Sequence, residues 1–331
     1  MKQNELIAIN DAVFGRDLGP GRNEPGVIVA ANEQRFTSAH YQEALTSYIV
    51  GWTDKENLQE LLDSIAPPVQ VGRRFEWKKY DNTKEFLAET GVDDIRQIGG
   101  TFKRVEYPQT SATDKTLNKG LTIRIDDDDR GADGWAERAA ARIKRRLLRA
   151  ELIRAISVIN AAATNAAVTW TAAGSGSPDG DLRDMTVLGG DAAGIDNNIV
   201  IMGRTAWNQR QSCYEAQNTP YAGVAANLDE ARLAAKLALD TLITVKPRYQ
   251  SAAATKSALL GLLVYAYFAE SDVGKDDPSS VKRFWSPTQS GGMWRVYQED
   301  RDKYSDITVE HYSNIVAAST VGVRKLTVST S

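Results

Sequence analysis

IRIDDDDRGADGWAERAAARIKRRLLRAELIRAISVINAAAT, from Ile123 to Thr164, carries the pattern that decides the fold. It opens on the consecutive aspartates Asp126, Asp127, Asp128 and Asp129 and continues as a helical pattern over about 134–163. Ile143, Leu147, Leu148, Leu152, Ile156 and Ile159 keep helical spacing and predict one buried stripe. Arg138, Arg142, Arg145 and Arg149 recur every third or fourth residue, so they line up on another face. At about 1.5 Å per residue the helix is a rod of roughly 45 Å, well beyond the usual helix length.

The aspartates admit two readings. In a strand, side chains alternate, so Asp126 with Asp128, or Asp127 with Asp129, would be the pairs able to share a metal ion. The D-x-D-x-D-G spacing of a calcium loop is absent, and Gly131 falls in the wrong place for it. The preferred reading is a strand end whose acids complement a helix N-terminus and nearby arginines.

Outward from the helix, composition sets bounds. The chain has 331 residues, 42% hydrophobic and 25% charged, as in an ordinary globular protein able to bury a core. Its 40 basic and 43 acidic residues leave a net charge of −3, so any contact with nucleic acid must be a local patch, such as the run Arg142, Lys144, Arg145 and Arg146. One cysteine, Cys213, excludes an internal disulfide and a multi-cysteine zinc site. The first residues lack the apolar core of a signal peptide, and the longest apolar candidate, ALLGLLVYAYFA (Ala258–Ala269), is too short to span a membrane. A chain assembled inside a cell is expected.

Residues 1 to about 35 are polar and rich in Gly, Asn and Pro, as in an extended arm. ALTSYIVGW and TDKENLQELLDSIAPP read as helices, the second capped by Thr53 or Asp54 and stopped at Pro67. Alternation then predicts strands: Phe102, Val105 and Tyr107, and again Leu121, Ile123 and Ile125, with a short helical insert TKEFLAETGVDDI upstream. After the long helix, TAAGSGSPDGDLRD reads as a turn region. NIVIMG reads as a buried strand, RTAWNQRQSCYEAQN and NLDEARLAAKLAL as helices, the latter capped by Asn227, and the remainder as strands with an aromatic end of core or interface anchors.

Enzymatic constellations are lacking. His40 and His311 have no ligand-spaced neighbour in sequence, and Cys213 sits in a helix pattern as a buried or incidental thiol. GGDAAG and TAAGSGSPDG lack the signatures of a phosphate loop or a dinucleotide fold, and no G-x-S-x-G elbow occurs.

An arm, a β extension with little core, an over-long helix and a mixed block, in that order, resemble the major capsid proteins of tailed bacteriophages, the HK97-like family. AERAAARIKRRLLRAELIRAISVINAAAT and NIVIMGRTAW carry the resemblance most specifically. It implies an α+β fold with an N-terminal arm and helix (1–66), an extended β loop (67–100), a peripheral domain with the spine helix (101–190), an axial domain (191–318) and a C-terminal strand returning to the peripheral domain (319–331). It implies a shell enclosing phage DNA, built in the host cytoplasm from hexamers and pentamers. Scaffolding, portal and decoration proteins are the further partners, with DNA on the inner face and no membrane. No cofactor, metal or catalytic step is expected. The arginine stripe would face another subunit or DNA, and the four aspartates would form the acidic junction at the helix N-terminus. No long helical prodomain precedes the arm, which implies a separate scaffold or none. An encapsulin-like compartment is the alternative within the fold. A metal-dependent phosphoryl-transfer enzyme using Asp126–Asp129 is the alternative outside it, and a ring-forming adaptor or tail component is a third.

Overall fold

The computed structural model describes residues 39–79, 95–96, 98–102, 110–131, 133–171, 176–217, 219–270 and 274–330. Most of the insert TKEFLAETGVDDI, the predicted strand through Val105 and Tyr107, and the N-terminal arm up to residue 38 lie outside them. In chain order the elements are β1 (Ala39–Tyr41), α1 (Glu43–Gly51), α2 (Leu58–Ile65), β2 (Pro68–Gln70), β3 (Arg74–Lys79), β4 (Thr110–Lys115), β5 (Leu117–Asp126), a 3₁₀ turn (Asp127–Asp129) and the long helix α3 (Trp135–Ala162). Then follow β6 (Thr164–Thr169), α4 (Pro178–Ala193), β7 (Ile199–Gly203), α5 (Arg204–Ala216), α6 (Pro220–Ala226), α7 (Glu230–Lys236) and β8 (Thr241–Val245). The chain closes with β9 (Arg248–Ala252), β10 (Thr255–Ala258), β11 (Leu263–Tyr267), β12 (Val281–Ser286), β13 (Trp294–Asp300), β14 (Tyr304–Ala317) and β15 (Arg324–Ser329).

The first sheet is organised by β14. One edge pairs antiparallel with β5, in register Ile307↔Ile123, and the other pairs with β13 and then β12. Alternation along β14 sends Ile307, Val309, His311, Ser313 and Ile315 to one buried face. That face packs on α3, whose six stripe residues are all at most 8% exposed. Each such side chain contributes about 1.5–3 kcal/mol by burial. Packing therefore holds a helix whose arginine-rich exposed face would not hold it alone.

The second sheet has the order β6-β15-β11-β7-β8. Its middle strand explains the apolar run ALLGLLVYAYFA. Tyr265 and Tyr267 join the core beneath α3, while Val264 and Ala266 join a second core with Trp170, Met202 and Trp207. A strand buried on both faces has no polar side to alternate with. The chain-order domains interleave here. β15 pairs with β6 from residues 101–190 on one side and β11 from 191–318 on the other, and the first sheet likewise joins β5 to β12–β14.

β3 and β4 form a separate two-stranded antiparallel ribbon, with Arg74 opposite Lys115. Phe75 and Trp77 pin its base against Phe284, with ring centroids 4.5 and 5.9 Å away.

Several local expectations are corrected. The cap of α2 is Asn57, with a left-handed backbone (φ 47°), because Asp54 is held by the long helix instead. The cap of α7 is Asp229, which accepts from the Arg232 amide at 2.8 Å, not Asn227. The turn-like stretch after α3 contains the start of α4. Pro178 begins that helix well, but Gly180, Gly189 and Gly190 depress its intrinsic propensity. Buried Leu182 and Met185 supply what the local sequence lacks.

At the β7–α5 junction of NIVIMGRTAW, a Cβ on Gly203 would lie 2.1 Å from the Gly261 carbonyl oxygen, which itself accepts from the Ala206 amide at 3.1 Å. Neither backbone can yield without breaking the strand-to-helix turn. Gly203→Ala is expected to destabilise the folded chain by about 1–3 kcal/mol or more. A urea midpoint equal to that of the parent would contradict this close approach.

Candidate functional site along the long helix

The helix starts at Trp135, and its cap is Gly134, whose positive φ of 79° needs no side chain and makes no side-chain cap bond. The acidic run therefore stands at the junction without capping the helix, which corrects that part of the expectation. The reason is position: β5 ends at Asp126, the next three acids wind into the 3₁₀ turn, and the turn ends several residues short of the helix. Asp126 caps that turn through the Asp128 amide at 3.2 Å. Asp127 pairs with Arg130 at 2.7 Å. Asp128 and Asp129 are exposed. Among the described residues, no group of three or more His, Cys, Asp or Glu is placed to hold a metal ion.

The arginine stripe divides in two. Arg138 folds back to the Asp133 carbonyl at 2.9 Å and, with Arg142 and Asp129, lines a groove of about 440 Å³ between β5 and the helix start. Arg145 pairs with the buried Asp54 at 2.6 Å, and Arg149 pairs with Glu56 at 3.0 Å. The second half of the stripe thus fastens the segment between α1 and α2 to the helix. Lys144, read in sequence as part of a basic patch, is 2% exposed. It donates to the carbonyls of Ile49 and Trp52 at 2.5 and 3.0 Å, and burial pulls its ammonium down to about 8.

Sequence reasoning missed the polar centre of the helix. Glu151, 1% exposed, receives Lys119 from β5 at 2.8 Å, Arg154 at 2.5 Å and the Ser313 hydroxyl at 3.0 Å. His311 of β14 lies 3.6 Å away, 1% exposed, and stacks 4.4 Å from Trp294. Burial opposes the ionised carboxyl, but His311 and Lys119 outweigh it and hold Glu151 well below the usual carboxylate range. Burial pulls His311 below its ordinary value. One signal was available: Lys144, Leu148, Glu151, Ala155 and Ile159 share one helical phase, so two charges stand on the buried face.

A second buried centre ties the helices behind the second sheet. Asp179 of α4 binds Arg210 of α5 at 2.6 Å and Lys236 of α7 at 2.7 Å, and Arg210 also reaches the Ala225 carbonyl of α6 at 2.9 Å. Cys213 nearby is buried, and burial pushes its thiol up, away from nucleophilic use.

Large apolar side chains are exposed in separate places: Ile95, Ile98 and Phe102 (76–105% exposed) between β3 and β4 in the chain, Val187 and Leu188 on α4, and Tyr221 and Val224 on α6.

No protein-family model and no curated protein matches the chain. Solved structures do. A phage-related protein of Bordetella bronchiseptica superposes with a TM-score of 0.63 at 11% identity, covering 86% of this chain and 96% of that one. A structure from Microbacterium phage Oxtober96 gives 0.53 at 12% identity over 84% and 92%. The capsid of cyanophage P-SCSP1u gives 0.51 at 8% identity over 81% and 88%. Across most of its length, the chain has the α+β HK97-like fold of phage capsid structures.

Proposed function

We propose that the chain is a major capsid protein, a subunit that assembles with copies of itself into an icosahedral shell around phage double-stranded DNA. The observation that carries this reading is the likeness of fold, over about four-fifths of the chain, to the capsid of cyanophage P-SCSP1u. The exposed apolar side chains support it, because they gain burial only against another molecule. In this reading residues 1–66 are the arm, the loop beginning at 67 is extended by the β3–β4 ribbon, and 101–190 with the closing strand form the peripheral domain. Residues 191–318 form the axial domain. The reading has no catalytic step. Assembly takes place in the host cytoplasm, and scaffolding, portal and decoration proteins join the shell.

Negative-stain images of the purified chain test it. Closed shells, or free pentamers and hexamers, are the expected result. A monodisperse monomer at high concentration, unchanged by co-expression with neighbouring phage genes, would overturn the proposal.

A further inference from the structure

Between the middle of α3 and the β9–β10 hairpin lies a trough of about 860 Å³. The helix contributes Arg146 and Arg149, the entry to β9 contributes Lys246 and Arg248, and β10 contributes Lys256. Glu56 is the one acid lining it, and Arg149 already holds that carboxylate at 3.0 Å. Arg146, Lys246, Arg248 and Lys256 are all exposed and form no ion pair among the described residues. Cross-strand register pairs Gln250 with Lys256 and Ala258 with Arg248, so alternation puts both cations on one face of the hairpin. Cations thus converge from three chain segments onto one trough.

We propose that this trough binds the phosphodiester backbone of double-stranded DNA. The inference rests on the capsid reading and adds to it the surface that meets the genome. Three of the five cations are arginines, whose planar forks match phosphate oxygens. A duplex presents one charge per about 1.7 Å along its axis, enough to engage cations on both walls at once. The main acidic alternative on this chain is the Asp126–Asp129 run of a second copy. That run has Asp127 committed to Arg130 and Asp126 committed to its own turn, so it offers two carboxylates against the four cations that Glu56 leaves unpaired. No pocket complementary to a base edge is needed, so binding is independent of sequence.

The test is fluorescence anisotropy of the purified full chain with labelled 30-base-pair duplexes of two unrelated sequences, titrated between 50 and 200 mM salt. Both duplexes should bind equally, with a log–log salt slope of about −4, or roughly a 250-fold loss across that range. Arg248→Glu with Lys256→Glu lies on an exposed hairpin and should weaken binding at least tenfold and flatten the slope by about 2. Arg183→Glu with Lys303→Glu, an equal charge change elsewhere, should do neither. The proposal falls if the hairpin variant binds like the parent, if the parent binds no duplex, or if polyglutamate of equal charge competes as well as DNA. Negative-stain imaging of the same preparations separates the two claims. Shells from a chain that fails these binding tests leave the capsid reading standing and remove this one; the absence of shells from the parent counts against the capsid reading itself.

Discussion

Asp179→Ala lowers the stability of the folded chain by about 3–5 kcal/mol, read as a fall in the urea midpoint at unchanged slope. The expectation follows from what the carboxylate leaves behind. Arg210 has a fully buried side chain, and its Nε reaches Asp179 at 2.6 Å. Its other anchor is one neutral carbonyl, Ala225, and its charge lies 5.3 Å from the Trp207 ring and 5.4 Å from Tyr214. Rings and a carbonyl cannot replace a counter-ion in a low-dielectric interior. Lys236 loses the same partner but is one-third exposed, so water compensates much of its loss. Asp179→Asn keeps the shape and removes the charge, and should cost nearly as much as alanine. Adding Arg210→Met to Asp179→Ala should recover a large part of the loss, since the buried cation is then gone. A loss below about 1 kcal/mol in the single variant would mean that Arg210 finds water once Asp179 is absent.

The same carboxylate shows which features sequence alone could and could not give. The long helix was legible because one physical constraint, burial of one stripe against a sheet, repeats along it at helical spacing. The strand alternation before it and the apolar run of β11 were legible for the same reason. Asp179 was not, because its partners stand 31 and 57 residues away and its helix opens with a Pro-Asp-Gly turn signal. β6 was missed as well: TNAAVT is almost wholly exposed and owes its form to parallel pairing with β15 at the far end of the chain. Caps failed at Asn57 and Asp229 by two to four positions, since several acceptors compete at each helix start and tertiary contacts choose among them. The arginine spacing put those residues on one helix face, but spacing does not say that Asp54 and Glu56 hold Arg145 and Arg149.

Glu151→Ala is expected to cost about 3–5 kcal/mol, because it strands Lys119 and His311 at the centre of the α3–β14 contact. The pH dependence identifies the cause. Glu151, itself held by Arg154, faces His311 from the helix, Lys119 from β5 and Arg283 from β12, with Trp294 of β13 against the ring. Burial lowers the proton affinity of His311 in the folded chain. As pH falls through 6.5 the unfolded chain takes up that proton first, and stability declines. Glu151 has a depressed folded value, so its contribution is whole above about 4.5 and is lost as pH falls further. The parent should therefore hold a level urea midpoint near neutrality, then decline in two legs beginning near 6.5 and near 4.5. His311→Gln should abolish the first leg and leave the second. Glu151→Gln should lower the neutral plateau and remove the second leg. Its loss of the carboxylate that favours charged His311 should also steepen the first. If the first leg persists in His311→Gln, the decline belongs to other groups and the cluster under the long helix is not what responds to acid.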